Sequence, residues 1–103
     1  MAENLADSAK WKNKQVFCSL ELLEAKSALA EALQNLDRHK EALDVLEEAK
    51  RDLNSLLVSE EFELAIQILK NLGACYLSEG LTQKAKKNYM LAKELISENW
   101  LDN

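Results

Sequence analysis

Residues 65–92 carry two apolar stripes of helical spacing, and a single glycine, Gly80, separates them. Within each stripe the apolar residues recur with the period of an α-helix, which places them on one face. The first stripe consists of Ala65, Ile66, Leu69, Leu72, Gly73 and Tyr76, and the second of Ala85, Tyr89 and Ala92, with Ile96 continuing it beyond this range. Because glycine readily adopts the left-handed conformation that ends a helix, we expect a helix, a sharp turn at Gly80 and a second helix.

Gly73 is the only other glycine in the chain, and it lies inside the first of these predicted helices. A glycine in a helix interior costs roughly 1 kcal/mol relative to alanine, so a compensating contact is expected. The missing side chain permits close approach of a neighbouring helix. We therefore expect the second helix to approach at Gly73, with the small residues Ala85 and Ala92 opposite it.

This pattern resembles the tetratricopeptide repeat (TPR) family. In that family a unit has a bulky residue, Leu-Gly and an aromatic residue in its first helix, then small and aromatic residues in its second. The matching positions here are Leu69, Leu72, Gly73, Tyr76, Gly80, Ala85, Tyr89 and Ala92. Leu69 stands where the family usually has Trp, and Ser97 stands where Pro often closes the unit. The resemblance implies an α-α superhelix that serves as an interaction module.

A second copy of the pattern lies 43 positions earlier in the chain. This shift carries Ala42, Leu46 and Ala49 onto Ala85, Tyr89 and Ala92, and it carries Leu29, Ala30 and Leu33 onto Leu72, Gly73 and Tyr76. The commonest TPR period is about 34 residues, so each unit here has about nine additional residues. In this respect the chain is similar to the longer variants of kinesin light chains and of the spindle-orientation adaptor with Leu-Gly-Asn repeats. Residues 53–62 lack Gly and Pro, so we expect the additional residues to lengthen the helices.

These observations predict one all-α domain, a TPR-like solenoid of two helical hairpins. Its expected parts are a first repeat at about 13–57, a second repeat at about 59–98 and a C-terminal tail at 99–103. The first helix should run from about 13 to 36, with an apolar stripe of Val16, Leu20, Leu23, Leu29, Ala30 and Leu33. We expect the break between the repeats near residues 54–59, with Ser59 as the N-cap of the next helix.

The two ends of the predicted solenoid need cover, because an end unit exposes an apolar face. Residues 1–12 are expected to form a short capping helix or to continue into the first helix. At the other end, Trp100 and Leu101 either fold back over the array or meet another chain.

Composition narrows the class of partner. The chain has no Pro and two Gly, which favours helix throughout. Its net charge of −5 argues against a nucleic-acid backbone or an anionic membrane as the main partner.

No segment has the apolar length of a signal peptide or a membrane span, and Cys18 and Cys75 lack the spacing of a metal or redox pair. We therefore expect a cytoplasmic protein with reduced cysteines.

No pattern in the sequence predicts catalysis. The single histidine, His39, has only Asp37 and Glu41 nearby, and a zinc site needs several nitrogen or sulfur ligands. Phosphate-binding loops, nucleophile elbows and His-Glu-x-x-His motifs are missing from the sequence. We expect no enzyme activity, no catalytic residue, no metal and no cofactor. An enzyme with an unrecognised site would require a deep pocket with clustered polar groups.

The TPR resemblance implies a concave groove lined by the first helix of each repeat. Its expected partner-binding residues are Glu24, Ser27, Glu31, Gln34 and Asn35 on the first repeat, and Gln67, Lys70, Asn71 and Ala74 on the second. Asn71 precedes Leu-Gly, where the family places an amide that both donates to and accepts from a bound backbone. Ser27 and Glu31 stand where carboxylate-binding members have Lys and Asn, and Glu31 would repel a carboxylate ligand.

Two functions follow as alternatives. The first is a protein-protein interaction module, an adaptor or scaffold that binds a peptide or helix in the concave groove. The second is an assembly element that pairs chains through the solenoid ends, giving a homo-oligomer. A basic group on the convex helix of the second repeat is either a solvated surface or a patch for an acidic segment; it consists of Lys84, Lys86, Lys87 and Lys93.

Overall fold

The structure, a computed structural model, describes residues 20–100, and within that range the fold is all-α with no strand. The helices are α1 (residues 20–35), α2 (His39–Lys50), α3 (Leu53–Val58), α4 (Phe62–Ser78) and α5 (Thr82–Trp100). The predicted all-α class is confirmed. The predictions about the capping helix, the start of the first helix, Cys18 and the Trp100 and Leu101 side chains lie outside the described residues and side chains.

Three turns, between α1 and α2, α3 and α4, and α4 and α5, share one backbone design. Each has a residue with positive φ just after the helix, namely Asp37 (φ 61), Glu60 (φ 61) and Gly80 (φ 79). The next amide donates back to a carbonyl five residues earlier, at 2.8 Å each, in the pairs Arg38 to Leu33, Glu61 to Leu56 and Leu81 to Tyr76. This is the Schellman arrangement, which satisfies the last carbonyls of a helix. The predicted role of Gly80 is confirmed.

The region between the hairpins differs from the prediction. Residues 54–58, expected to break the helix, belong to α3, and the chain leaves helical structure instead at Arg51–Asp52 and again at Ser59–Glu61. Ser59 is not the N-cap of α4, which begins at Phe62 after Glu61. The physical reason is that the amides of Glu60 and Glu61 satisfy the carbonyls of Leu57 and Leu56. The end of α3 therefore needs neither Gly nor Pro.

Helix α4 lies at the centre of the described fold, in contact with α2, α3 and α5. Its buried residues are Leu64, Ala65, Ile66, Ile68, Leu69, Leu72, Gly73, Cys75 and Tyr76. This confirms the stripe predicted for the first helix of the second repeat. In α5 the predicted stripe is only half correct, because Ala85 and Ala92 are buried whereas Tyr89 and Ile96 are exposed. The prediction that Leu29 belongs to the core stripe of α1 is likewise wrong.

Helix α5 approaches α4 closely at Gly73. A Cβ atom built there would lie 2.7 Å from Cζ of Tyr89, which is shorter than a van der Waals contact. The predicted close approach is thus confirmed, and the nearest atoms of α5 belong to the Tyr89 ring. Since the chain reverses at Gly80 and Leu81, antiparallel pairing places Gly73 opposite Tyr89, whose ring covers the glycine.

Two antiparallel hairpins result, the first hairpin (α1 and α2) and the second hairpin (α4 and α5). The first is bridged by an ion pair from Lys26 Nζ to Glu48 Oε1 at 2.8 Å. Between hairpins, Gln67 Nε2 of α4 donates to Glu31 Oε2 of α1 at 3.0 Å. Lys50 Nζ of α2 donates to Asn88 Oδ1 of α5 at 2.8 Å. The first helices of the two hairpins are therefore neighbours, and so are the second helices.

Candidate protein-binding face

The neighbouring helices α1 and α4 form a surface with two adjoining open concavities, which we call the α1–α4 face. The first concavity, of about 480 Å³, is lined by Glu24, Ser27, Ala28, Glu31, Glu61, Glu63, Leu64 and Gln67. The second, of about 710 Å³, is lined by Glu31, Glu63, Ile66, Gln67, Lys70 and Asn71. The hydrogen bond between Gln67 and Glu31 lies where the two concavities meet. One continuous groove therefore runs across both helices.

Helical spacing explains why these side chains share a face. Residues three and four apart on a helix are surface neighbours, and Glu24, Ser27 and Glu31 follow that spacing on α1. Gln67, Lys70 and Asn71 do the same on α4. The contact between the two hairpins then brings both rows together.

The nine residues predicted for the groove divide into two groups. Six line the α1–α4 face, namely Glu24, Ser27, Glu31, Gln67, Lys70 and Asn71. Three others, Gln34, Asn35 and Ala74, do not line either concavity. Gln34 is half-buried and lies three residues beyond Glu31 on α1.

The α1–α4 face is strongly acidic. Its charged lining consists of Glu24, Glu31, Glu61, Glu63 and Lys70. Sequence reasoning missed Glu61 and Glu63 as site residues, because acidic residues at the start of a helix already have an explanation in the helix dipole. The spacing of four residues between Glu63 and Gln67 on α4 was the signal that could have placed Glu63 on the groove, whereas Glu61 precedes α4 and had no such signal.

Two polar atoms on this face are buried without a hydrogen-bond partner among the described residues. Ser27 is only 2% exposed, and its Oγ has no partner. Asn71 Nδ2, in the second concavity, is also buried and unpaired. A buried polar group without a partner costs about 1–3 kcal/mol. Asn71 is partly exposed as a residue, so rotation of its side chain toward the groove would let a ligand acceptor remove that cost, whereas Ser27 stays covered.

His39 lies outside this face, at the start of α2. Its Nε2 is 3.6 Å from Asp37 Oδ1, and its Nδ1 is buried without a partner within the described chain. Across residues 20–100, no three His, Cys, Asp or Glu side chains are grouped so as to hold a metal ion.

The basic residues of α5 lie near a second, smaller groove. Lys84 Nζ is 5.6 Å from the centre of the Tyr76 ring, a cation-π contact. Lys86 and Lys93 line a groove of about 400 Å³ whose other residues are Leu77, Thr82, Ala85, Tyr89 and Met90. We call this the α5 groove. It is mainly apolar, in contrast to the α1–α4 face.

Comparisons of the chain with family models, with curated proteins and with solved structures gave no match. A search of the described helices for one long and apolar enough to cross a membrane found none.

Proposed function

We propose that this chain is a TPR-like helical-repeat solenoid that acts as a cytoplasmic adaptor or scaffold. It binds a peptide or helix of a partner protein on the α1–α4 face and has no catalytic role. The equivalent Schellman turns at Asp37 and Gly80, 43 positions apart, support the repeat. The side-by-side contact of the hairpins supports the solenoid arrangement.

The observation that carries the binding role is the coincidence of charge and unpaired polar atoms on one groove. Four glutamates and Lys70 surround Ser27 Oγ and Asn71 Nδ2, both buried and without partners in the described chain. Charge-assisted hydrogen bonds are stronger than neutral ones, and complementary charge sets which partner binds. The preferred ligand is therefore a segment that contains Lys or Arg.

Backbone recognition comes from Asn71 in this proposal. After its side chain rotates toward the groove, Asn71 Nδ2 donates to a ligand carbonyl. This contact fixes an extended or helical segment in the groove, while the glutamates select its charge. Glu31 repels a terminal carboxylate, so the ligand is an internal or N-terminal segment.

The test is fluorescence anisotropy with labelled peptides matched in length, one series containing Lys and Arg and the other containing Glu. The site variant is Glu31→Gln with Glu63→Gln. The control is Glu94→Gln with Glu98→Gln, which makes the same charge change on exposed positions of α5. The native chain and the control should bind the basic series with equal affinity. The affinity of the site variant for that series should be lower by a factor of about ten or more. Added salt should weaken binding.

A second pair of variants tests backbone recognition. Asn71→Ala should weaken every bound peptide, regardless of its charge, while Asn54→Ala on exposed α3 should change nothing. Equal binding by the native chain and all variants, or preference for the acidic series, would reject the α1–α4 face as the binding site.

A further inference from the structure

Helix α1 carries an apolar stripe that faces solvent. Its members are Leu22, Ala25, Leu29 and Ala32, at alternating intervals of three and four residues. Leu22 is 54% exposed and Leu29 is 50% exposed. This spacing is that of a helix that packs against another helix along one seam. We call these four residues the α1 stripe.

The second hairpin shows what such a stripe packs against. The shift of 43 carries the α1 stripe onto Ala65, Ile68, Leu72 and Cys75 of α4, all of them fully buried. These four belong to the same core cluster as Ala42, Leu43, Leu46 and Ala49 of α2. The α1 stripe is thus the counterpart of the α4 surface that covers the first hairpin.

The α5 groove is the counterpart of the covered surface. The same shift carries Ala42 and Leu46 of α2 onto Ala85 and Tyr89 of α5. Leu46 is fully buried, whereas Tyr89 is 38% exposed. The difference arises because α4 packs on α2, while no described helix lies over the α5 groove. One chain therefore exposes the α1 stripe and the α5 groove, which are the counterparts of the α4 and α2 surfaces that pack together inside it.

Charge on the two surfaces is complementary. The exposed charged residues of α1 are Glu21, Glu24 and Glu31, since its Lys26 is paired with Glu48. The α5 groove is flanked by Lys86 and Lys93. Opposite charges on meeting surfaces steer association and disfavour wrong pairings.

We propose that the α1 stripe of one copy packs into the α5 groove of a second copy, in the way that α4 packs on α2. The two surfaces differ, so the contact is head-to-tail and leaves one stripe and one groove free at the ends of each assembly. Further copies add at those ends. The α1 stripe and the α5 groove share no residue with the lining of the peptide-binding groove, although Glu24 and Glu31 of that groove lie next to the stripe on α1.

The test is sedimentation velocity of the full chain over a concentration series. The native chain should grow past the dimer as its concentration rises. Leu29→Glu places a charge on the α1 stripe, and Met90→Glu places one in the α5 groove. Both side chains are at least half exposed, so neither substitution should disrupt the fold. Each variant alone should be a monomer. Their equimolar mixture should form a dimer and nothing larger, because one variant supplies the groove and the other the stripe.

Val58→Glu is the matched control, since it makes the same apolar-to-acidic change at an exposed position outside both surfaces. It should associate as the native chain does. A dimer recovered on mixing also shows that both blocked variants are folded. The proposal is overturned by a native chain that stays monomeric throughout, by a mixture that stays monomeric, or by a closed dimer that only one of the two variants dissociates.

Discussion

At the scale of single residues, Tyr76 joins the two hairpins. It lies on α4, is largely buried, and donates a short hydrogen bond from its hydroxyl to the Glu47 carboxylate on α2. Burial, together with the hydrogen bond and negative charge of Glu47, raises the pKa of Tyr76 to about 12. The ionised form of this side chain is thus disfavoured in the folded protein.

This pKa predicts a loss of stability in alkali. Below about pH 10 the Tyr76 hydroxyl is protonated in both the folded and unfolded states, and its interaction with Glu47 is intact. Between about pH 10 and 12 the unfolded chain loses this proton first, so the free energy of unfolding falls by about 2 kcal/mol. Urea unfolding over this pH range, followed by circular dichroism, should show a steeper fall for the native chain than for Tyr76→Phe.

Tyr76→Phe is the control because it removes the ionisable hydroxyl of this one residue and leaves the rest of the chain unchanged. Only the difference between the two curves reports on Tyr76. Parallel curves across the range would mean that Tyr76 ionises as easily in the folded protein as in the unfolded chain.

At the scale of helices and turns, one backbone device recurs with different residues. Gly80 adopts its positive φ without a steric penalty, whereas Glu60 carries a side chain in the same conformation. For residues with a Cβ this conformation costs roughly 1–2 kcal/mol. Asp37 has a smaller cost, because Asp tolerates the left-handed region better than Glu.

The turn at Glu60 therefore admits a stabilising substitution. Glu60→Gly should raise the free energy of unfolding by about 0.5–1 kcal/mol, after allowance for the greater freedom of glycine in the unfolded chain. Chemical denaturation of the two proteins measures the difference.

Two controls test whether backbone conformation is the cause. Glu60→Ala keeps the strain and should change stability little. Gly80→Ala should lower stability by about 1 kcal/mol, and since no atom lies within 4 Å of its added Cβ, crowding cannot explain the loss. Stabilisation by Glu60→Ala equal to that by Glu60→Gly would count against the strain.

These turns also show what could be predicted from sequence. Gly80 signalled its turn, because glycine at the end of an apolar stripe is the usual residue for this conformation. Glu60 gave no such signal, so the prediction placed the break within residues that form α3 and made Ser59 an N-cap. The turn there is closed by backbone amides and by contacts of α3 with α4, which no local pattern encodes.

On the candidate site, sequence reasoning succeeded where helical spacing alone decides. Six of the nine predicted residues share the α1–α4 face because spacing along each helix fixes their direction. Gln34 was misplaced because spacing gives the direction of a side chain but not the length of the groove, and neither concavity extends past Glu31 along α1. At Gly73 the sequence predicted a close approach but not the Tyr89 ring that makes it, because that contact depends on how α4 and α5 pair.

At the scale of the whole molecule, position in the array decides burial. Leu29 and Leu72 occupy the same place in the repeated pattern, yet Leu29 is half exposed and Leu72 is completely buried. Helix α4 has the first hairpin on one side and α5 on the other. No sequence pattern within either unit distinguishes the two leucines, because the difference lies in their neighbours.

This asymmetry predicts unequal costs for one chemical change. Leu72→Ala should destabilise the chain by about 3 kcal/mol, through lost burial and the cavity left between the hairpins. Leu29→Ala, measured at low concentration, should cost under about 1 kcal/mol, since its side chain is already half in water. Urea unfolding compares the two variants, which share the same change in helix propensity. Equal costs would mean that the two hairpins do not pack as described.

The buried thiol of Cys75 can serve as a chemical probe of opening in the native protein. Its side chain is fully buried in the core cluster that joins α4 to the first hairpin, and burial together with the nearby Glu79 charge raises the pKa of its thiol. The thiolate is the reactive form. Because burial disfavours the thiolate and blocks access of a reagent, alkylation of Cys75 requires the hairpins to separate. In the Cys18→Ser variant, the alkylation rate of Cys75 Sγ measured without denaturant would report how often the two hairpins separate in the native protein.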